Sequence, residues 1–224
     1  MAEFDRGLLA ATGRARPRVV ILPTASAPDG EATFRSWAEM GVEHFGSLGA
    51  EVEPVLVRDA VEGHDAAALQ AIGEADLVYL SGGHPRYLVD VLHGSPLGEA
   101  LVQAHARGAL IAGCSAGAMA IVGRSMDFRV MPRLRMPLPV PIRWPAGLGL
   151  VDGVAVLPHY DAWPEPLSAL VALQAPRGSI VLGIDEDTAV VGANGGWQVH
   201  GTGRVTIWRG RRRERFRRGE TFRL

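Results

Sequence analysis

The sequence predicts an α/β protein: a mostly parallel sheet with helices on both faces, followed by a β-rich C-terminal part. Three observations carry that expectation. Short apolar runs of strand character alternate with helical patterns through the first half of the chain, which is how parallel sheets are built. Apolar residues make up 47% and charged residues 21% of the 224, a globular composition that excludes disorder as the main state. From Ser179 to Leu224, short runs are separated by Gly195-Gly196 and Gly201/Gly203 turns.

The elements follow in order. Arg18–Pro23 is a short apolar run that reads as a buried strand, and Thr24–Gly30 as a loop. Helical spacing of Phe34, Trp37, Met40 and Phe45 predicts a helix over Glu31–Leu48 whose core face those residues form. Glu51–Val57 alternates as a strand, Asp65–Ile72 reads as a helix, and Asp76–Leu80 as a strand ending in Ser81-Gly82-Gly83. One helix is expected from Pro85 to Arg107, then a strand at Ala109–Ala112. From Arg124 to Gly149 the pattern breaks, with Met126, Met131, Pro132, Met136, Pro137, Pro139, Pro141 and Pro145 interrupting regular structure, so a functional loop or a disordered segment is expected. A strand at Gly153–Leu157 and a helix at Leu167–Gln174 complete the alternation. No linker, repeat or low-complexity segment divides the chain, so a single domain spanning residues 1–224 is expected.

Charge and composition narrow the function. The formal net charge is −1, from 23 basic and 24 acidic residues, which leaves no global nucleic-acid signature. Every basic residue is arginine, so no lysine can serve as a general base or Schiff-base former. The run Arg209–Arg218 is read as a solvated terminal hairpin with Trp208 and Phe216 on an inward face, against the alternative of a polyanion patch. Cys114 is the one cysteine, which rules out intrachain disulfides and a cysteine-rich metal site. No His/Asp/Glu grouping has metal-ligand spacing, and neither a metal nor an organic cofactor is implied. No window approaches 18 consecutive apolar residues, and the N-terminus has acids before its apolar run, the wrong order for a secretory signal. The expectation is a cytoplasmic protein without membrane or nucleic-acid partners.

The chemistry concentrates in Leu110-Ile-Ala-Gly113-Cys114-Ser115-Ala116-Gly117-Ala118, a strand, then Gly-x-Ser-x-Gly, then a small-residue helix. This is the context of a nucleophile elbow: serine on a strained turn, flanking glycines that let strand and helix approach, and the Ala116 N–H directed at a developing oxyanion. Cys114 reads as a small buried hydrophobe pointing into the sheet. A serine nucleophile needs a base and an orienting carboxylate. Of the seven histidines, His159 is best placed, just after a buried strand in Leu157-Pro-His159-Tyr-Asp161. Glu186 is the leading acid, in Gly183-Ile-Asp-Glu186-Asp-Thr-Ala189, with Asp161 and Asp127 as rivals. His84, following the Ser81-Gly82-Gly83 turn, is a residue that could line the site.

With these residues the chain resembles the serine peptidase family of dipeptidase E and cyanophycinase, in the class I glutamine-amidotransferase-like superfamily with its flavodoxin-like sheet. The order Ser…His…Glu also disfavours an ordinary α/β-hydrolase. The resemblance implies a Ser115–His159–Glu186 triad, with the Gly83 and Ala116 N–H groups as oxyanion donors. Its dipeptidase branch places an aspartate between serine and histidine, which keeps Asp127 open. The family cleaves after aspartyl residues, α-linked at a free N-terminus or β-linked in cyanophycin, so a short peptide is the implied substrate. His84, Arg86 and Tyr160 are the candidate substrate-binding residues, with Arg124, Arg133, Arg135 and Arg143 as further cations for an acidic side chain. The chain departs from cyanophycinase in lacking a glutamine before the histidine and an arginine cluster after it; Tyr160-Asp-Ala-Trp163-Pro-Glu165 stands there instead. A non-peptide ester or amide hydrolase, or a non-catalytic binding member, stay open as alternatives. A homodimer is expected from the family alone.

Overall fold

The computed structural model describes residues 1–127, 142–193 and 195–224, with the backbone alone for Ala193. Met131, Pro132, Arg133, Arg135, Met136, Pro137, Pro139 and Pro141 lie outside the described residues.

Four strands form a parallel sheet: β1 (Arg18–Leu22), β2 (Glu51–Pro54), β3 (Leu77–Leu80) and β4 (Leu110–Gly113), in the order β2-β1-β3-β4. Apolar side chains along β1 go alternately to its two faces, so the run must be apolar throughout. Val20 and Leu22 join Val78 and Leu80 in one core, against helices α3 (Ala66–Glu74), α4 (Pro85–Leu92) and α5 (Pro96–Ala106). Val19 and Ile21 face the other way, with Leu77, toward Phe45 of α2 (Glu31–Ser47) and Leu9 of α1 (Ala2–Ala11).

A second sheet has the order β11-β10-β7-β6-β5. Strands β5 (Val122–Arg124), β6 (Val151–Leu157) and β7 (Ile180–Ile184) run parallel, while β10 (Arg204–Arg209) and β11 (Arg212–Arg217) add antiparallel strands. One face, with Ala155, Leu157, Val181 and Trp208, packs on Val171 of α7 (Glu165–Leu173) and Met119 of α6 (Ala116–Ile121). The opposite face, with Val154, Val156, Leu182 and Ile207, is covered instead by a small antiparallel sheet. That sheet comprises β8 (Thr188–Ala193), β9 (Gly196–Gly201) and β12 (Thr221–Arg223). The expected helices-on-both-faces arrangement therefore holds for the first sheet, and the β-rich tail supplies one layer of the second.

Several local expectations need correction. Residues 85–107 form two helices, because Gly94 turns with φ 64° and Ser95 caps α5 by accepting the Gly98 N–H at 3.2 Å, with Pro96 at its first position. Thr24–Asp29 is a 3₁₀ helix, and β2 stops at Pro54. On α2, Phe34 and Phe45 are buried as expected, but Met40 is 48% exposed and Trp37 is only half-buried. Helix α1 precedes the first element that the sequence pattern predicts; it is anchored by Leu9 and by an Asp5–His44 contact of 2.9 Å. The arginine run forms the β10–β11 hairpin, with Trp208 buried and Phe216 packed inward.

Candidate active site

The turn between β4 and α6 carries Ser115 at φ 48° and ψ −110°. Its position depends on two glycines. A Cβ at Gly113 would lie 2.5 Å from the Gly117 carbonyl carbon, and one at Gly117 would lie 2.3 Å from the Leu80 carbonyl oxygen. Strand and helix can thus approach only because both side chains are missing. The Cys114 N–H donates to Leu80 O at 3.1 Å, tying the turn to β3, whose carboxyl end leads into Gly82 and Gly83. The Cys114 side chain is half-buried, and its desolvation raises the thiol pKa despite a hydrogen bond with Tyr79.

Beyond the end of β6, His159 occupies a left-handed conformation, φ 53° and ψ 40°, at the start of a 3₁₀ turn over Tyr160–Ala162. This aims its ring between two other segments: Nε2 lies 3.1 Å from Ser115 Oγ, and Nδ1 lies 3.1 Å from Glu186 Oε1. An ionised carboxylate only accepts, so Nδ1–H must donate to Glu186. A neutral ring then leaves Nε2 as acceptor for the Ser115 hydroxyl. An imidazole held so can take the serine proton while the carboxylate fixes its tautomer. Both His159 and Glu186 side chains are more than half exposed (51% and 62%), so the site is open to solvent.

Among the described residues, three non-glycine residues have positive φ: Ser115, His159 and Asp187, which follows Glu186. Such conformations cost of order 1–3 kcal/mol each and cluster where function requires them.

Gly82 brings the glycine turn to the serine: a Cβ built there would be 3.4 Å from Ser115 Cβ. Gly83 has φ 139°, and a Cβ there would stand 2.3 Å from Ala25 O, so no other residue fits this approach. Ala116 is the first residue of α6, and an N–H in that place has no acceptor within its own helix. Both backbone groups therefore belong to segments meeting at Ser115.

A model of peptidase family S51 matches residues 2–199. The chain belongs to peptidase family S51. It is accordingly a serine-type peptidase. Among curated relatives of this S51 chain, the cyanophycinase of Trichormus variabilis is 30% identical over 214 residues, 92% of this chain and 67% of that protein. The cyanophycinase of Geminocystis herdmanii is 28% identical over 191 residues, 84% of this chain and 68% of that protein. The chain thus spans about two thirds of the length of these relatives. Among solved structures, a peptidase from an acI-B1 actinobacterium has a TM-score of 0.85 at 29% identity, covering 100% of this chain and 91% of the other. A Listeria monocytogenes EGD-e protein assigned as a peptidase E gives 0.57 at 20% identity, covering 96% and 94%, a likeness of fold.

In this S51 chain the two rival acids lie elsewhere than on the imidazole. Asp161 Oδ1 accepts the Glu186 backbone N–H at 2.9 Å. Asp127 is largely buried, its Oδ2 is 3.8 Å from an Arg86 guanidinium nitrogen, and its N–H donates to Arg143 O at 3.0 Å. Arg86 Nε donates to both carboxylate oxygens of Asp90 at 2.8 Å, and this pairing raises the arginine pKa further. The His84 ring contacts Asp29 at 2.8 Å, tying the start of α4 to the Thr24–Asp29 turn. Tyr160 is buried; its ring lies against Gly183 and its hydroxyl accepts the Trp208 indole N–H at 2.9 Å, so it serves packing under the His159 turn. Helical spacing alone places Trp37 on the core face of α2. Its ring would lie 3.3 Å from a Gly82 Cβ, a point that is also 3.4 Å from Ser115 Cβ. Spacing on α2 carries no signal of that proximity.

Among the described residues no three His, Cys, Asp or Glu side chains are grouped as a metal site would need. No described helix is long and apolar enough to cross a membrane.

Proposed function

We propose that this chain hydrolyses short peptides, aspartyl peptides foremost, through Ser115, His159 and Glu186 and an acyl-enzyme. The observation that carries the reading is the single imidazole within 3.1 Å of both a strained serine and a carboxylate. His159 takes the Ser115 proton as Oγ attacks the carbonyl carbon. The oxyanion is met by the Gly83 and Ala116 N–H groups, and the imidazolium returns its proton to the departing amine. Water, deprotonated by the same ring, then hydrolyses the ester and regenerates Ser115.

The aspartyl preference is supported by the cyanophycinase relatives. A substrate carboxylate would need a cation. Arg86 is already forked on Asp90, so the exposed Arg124, which ends β5, and the exposed Arg143 are the better described candidates. The test combines a fluorophosphonate probe with a panel of α-aspartyl and β-aspartyl dipeptides and p-nitrophenyl esters. The expected result is an adduct on Ser115 that Ser115→Ala abolishes, with turnover of aspartyl dipeptides. Turnover of esters alone would overturn the peptide assignment, and an undiminished adduct in Ser115→Ala would overturn the nucleophile.

A further inference from the structure

Two separate segments deliver the base and the acid: the turn after β6 carries His159, and the turn after β7 carries Glu186. Their side chains meet through one contact of 3.1 Å between exposed groups. An exposed pair of this kind is weak and cannot by itself hold two loops in register. The backbone supplies the register. Asp161 lies two residues after His159 in the same 3₁₀ turn, whose Ala162 N–H returns to His159 O at 3.0 Å. Its Oδ1 reaches across to the Glu186 N–H at 2.9 Å. The other side of Glu186 is held within its own segment, by the Thr188 hydroxyl donating to Glu186 O at 2.9 Å.

We infer that Asp161 is a positioning residue: it fixes the Glu186 main chain to the His159 turn and so sets where the acid meets the imidazole. This rests on the Ser115–His159–Glu186 reading. Asp161 does not touch the imidazole in that arrangement. It needs only an acceptor oxygen at Oδ1, which an asparagine also provides and an alanine does not. A carboxylate displaced by about 1 Å from its partner is enough to cost on the order of 100-fold in rate.

The experiment measures fluorophosphonate inactivation at a series of probe concentrations, separating the maximal rate from the half-saturating concentration. The proteins compared are the wild type, Asp161→Ala, Asp161→Asn, Glu186→Ala and Asp161→Ala/Glu186→Ala. Asp161→Ala is expected to lower the maximal rate about 10- to 100-fold with unchanged half-saturation, and Asp161→Asn to restore most of it. In the Glu186→Ala background, Asp161→Ala should add nothing, because it acts only through Glu186. A wild-type rate in Asp161→Ala, or an equal loss from Asp161→Ala with and without Glu186, would overturn the inference while leaving the triad intact. A wild-type rate in Glu186→Ala would overturn the triad reading itself. The double variant also guards against a folding artefact, since general destabilisation would lower both backgrounds alike.

Discussion

Ser115 sits at φ 48° and ψ −110°, a conformation in which its Cβ is a burden and its Oγ is the purpose. The two can be separated. Ser115→Ala removes the nucleophile and keeps the strain; Ser115→Gly removes both. Allowing for the greater unfolded-state entropy of glycine, the glycine variant should be the more stable by about 1 kcal/mol. In a chain of this size that is a melting temperature about 2–4 °C higher, while neither variant takes up the fluorophosphonate probe. Equal melting temperatures would show that the elbow stores no strain at this residue. The neighbouring Cys114 gives a second residue-level test. Burial disfavours its thiolate and raises its pKa, so at pH 8 the native thiol should resist iodoacetamide and react once the protein is unfolded in urea. The same shift means that its contribution to stability is complete below the ordinary thiol range and is lost as pH rises through the folded-state value. Rapid alkylation of the native protein would place Cys114 outside the packed interface of β4 with β3.

At the scale of elements, the turn bearing His159 is supported from below. Tyr160 packs its ring where a Cβ on Gly183 would lie 2.3 Å away, and its hydroxyl accepts from Trp208 on β10. Tyr160→Phe leaves the indole N–H without that acceptor and should cost about 1–3 kcal/mol, measured by urea unfolding. Gly183→Ala should cost a similar amount by forcing the ring aside, about 1–3 kcal/mol, and should also slow probe labelling because the ring carries the His159 turn. An unaffected labelling rate in a destabilised Gly183→Ala protein would separate the packing from the catalytic geometry. These supports were illegible in the sequence for a plain reason. Tyr160 and Trp208 are 48 residues apart, and nothing local in Gly183-Ile-Asp-Glu186 records which ring fills the space above the glycine. The elbow was legible because its demands are local: strand, glycine, serine, glycine and helix are consecutive. The same contrast explains the helix break at Gly94. Ser95-Pro96 is a capping signal that local reading can find, and the apolar pattern running past it obscured the stop.

For the whole molecule, alternation of strand and helix was enough to anticipate the first sheet, since its inner strands β1 and β3 are buried and read as apolar runs while the exposed edge strand β2 alternates. It was not enough for the second sheet, where β10 returns past the β8–β9 pair to join β7, and a separate sheet covers one face. Pairing across such separations is set by tertiary packing that periodicity does not encode. The consequence for assembly lies at β11, which ends the second sheet in the order observed. Its residues Arg212, Arg213, Glu214, Arg215 and Arg217 are all exposed, and Arg213 and Arg215 both pair with Glu165 of α7. A strand edge of this length would offer unpaired N–H and C=O groups to another chain, and a second copy docking antiparallel on it in register would oppose Arg212 to Arg217 at both ends, with Glu214 facing Arg215 between them, and would bring one net positive strand against another. Like charges directly opposite one another are destabilising, and natural sheets use charge in this way to keep their edges unpaired. Replacing Arg212, Arg215 and Arg217 together with valine should therefore produce higher-mass species that grow with protein concentration, read by light scattering on a sizing column. Because β11 lies away from the serine turn in the sheet order, probe labelling of Ser115 should survive in the fraction that keeps the wild-type mass. If the triple variant elutes as the wild type does at every concentration, arginine repulsion is not what protects this edge, and the hairpin's twist or the neighbouring β12 segment must do so instead.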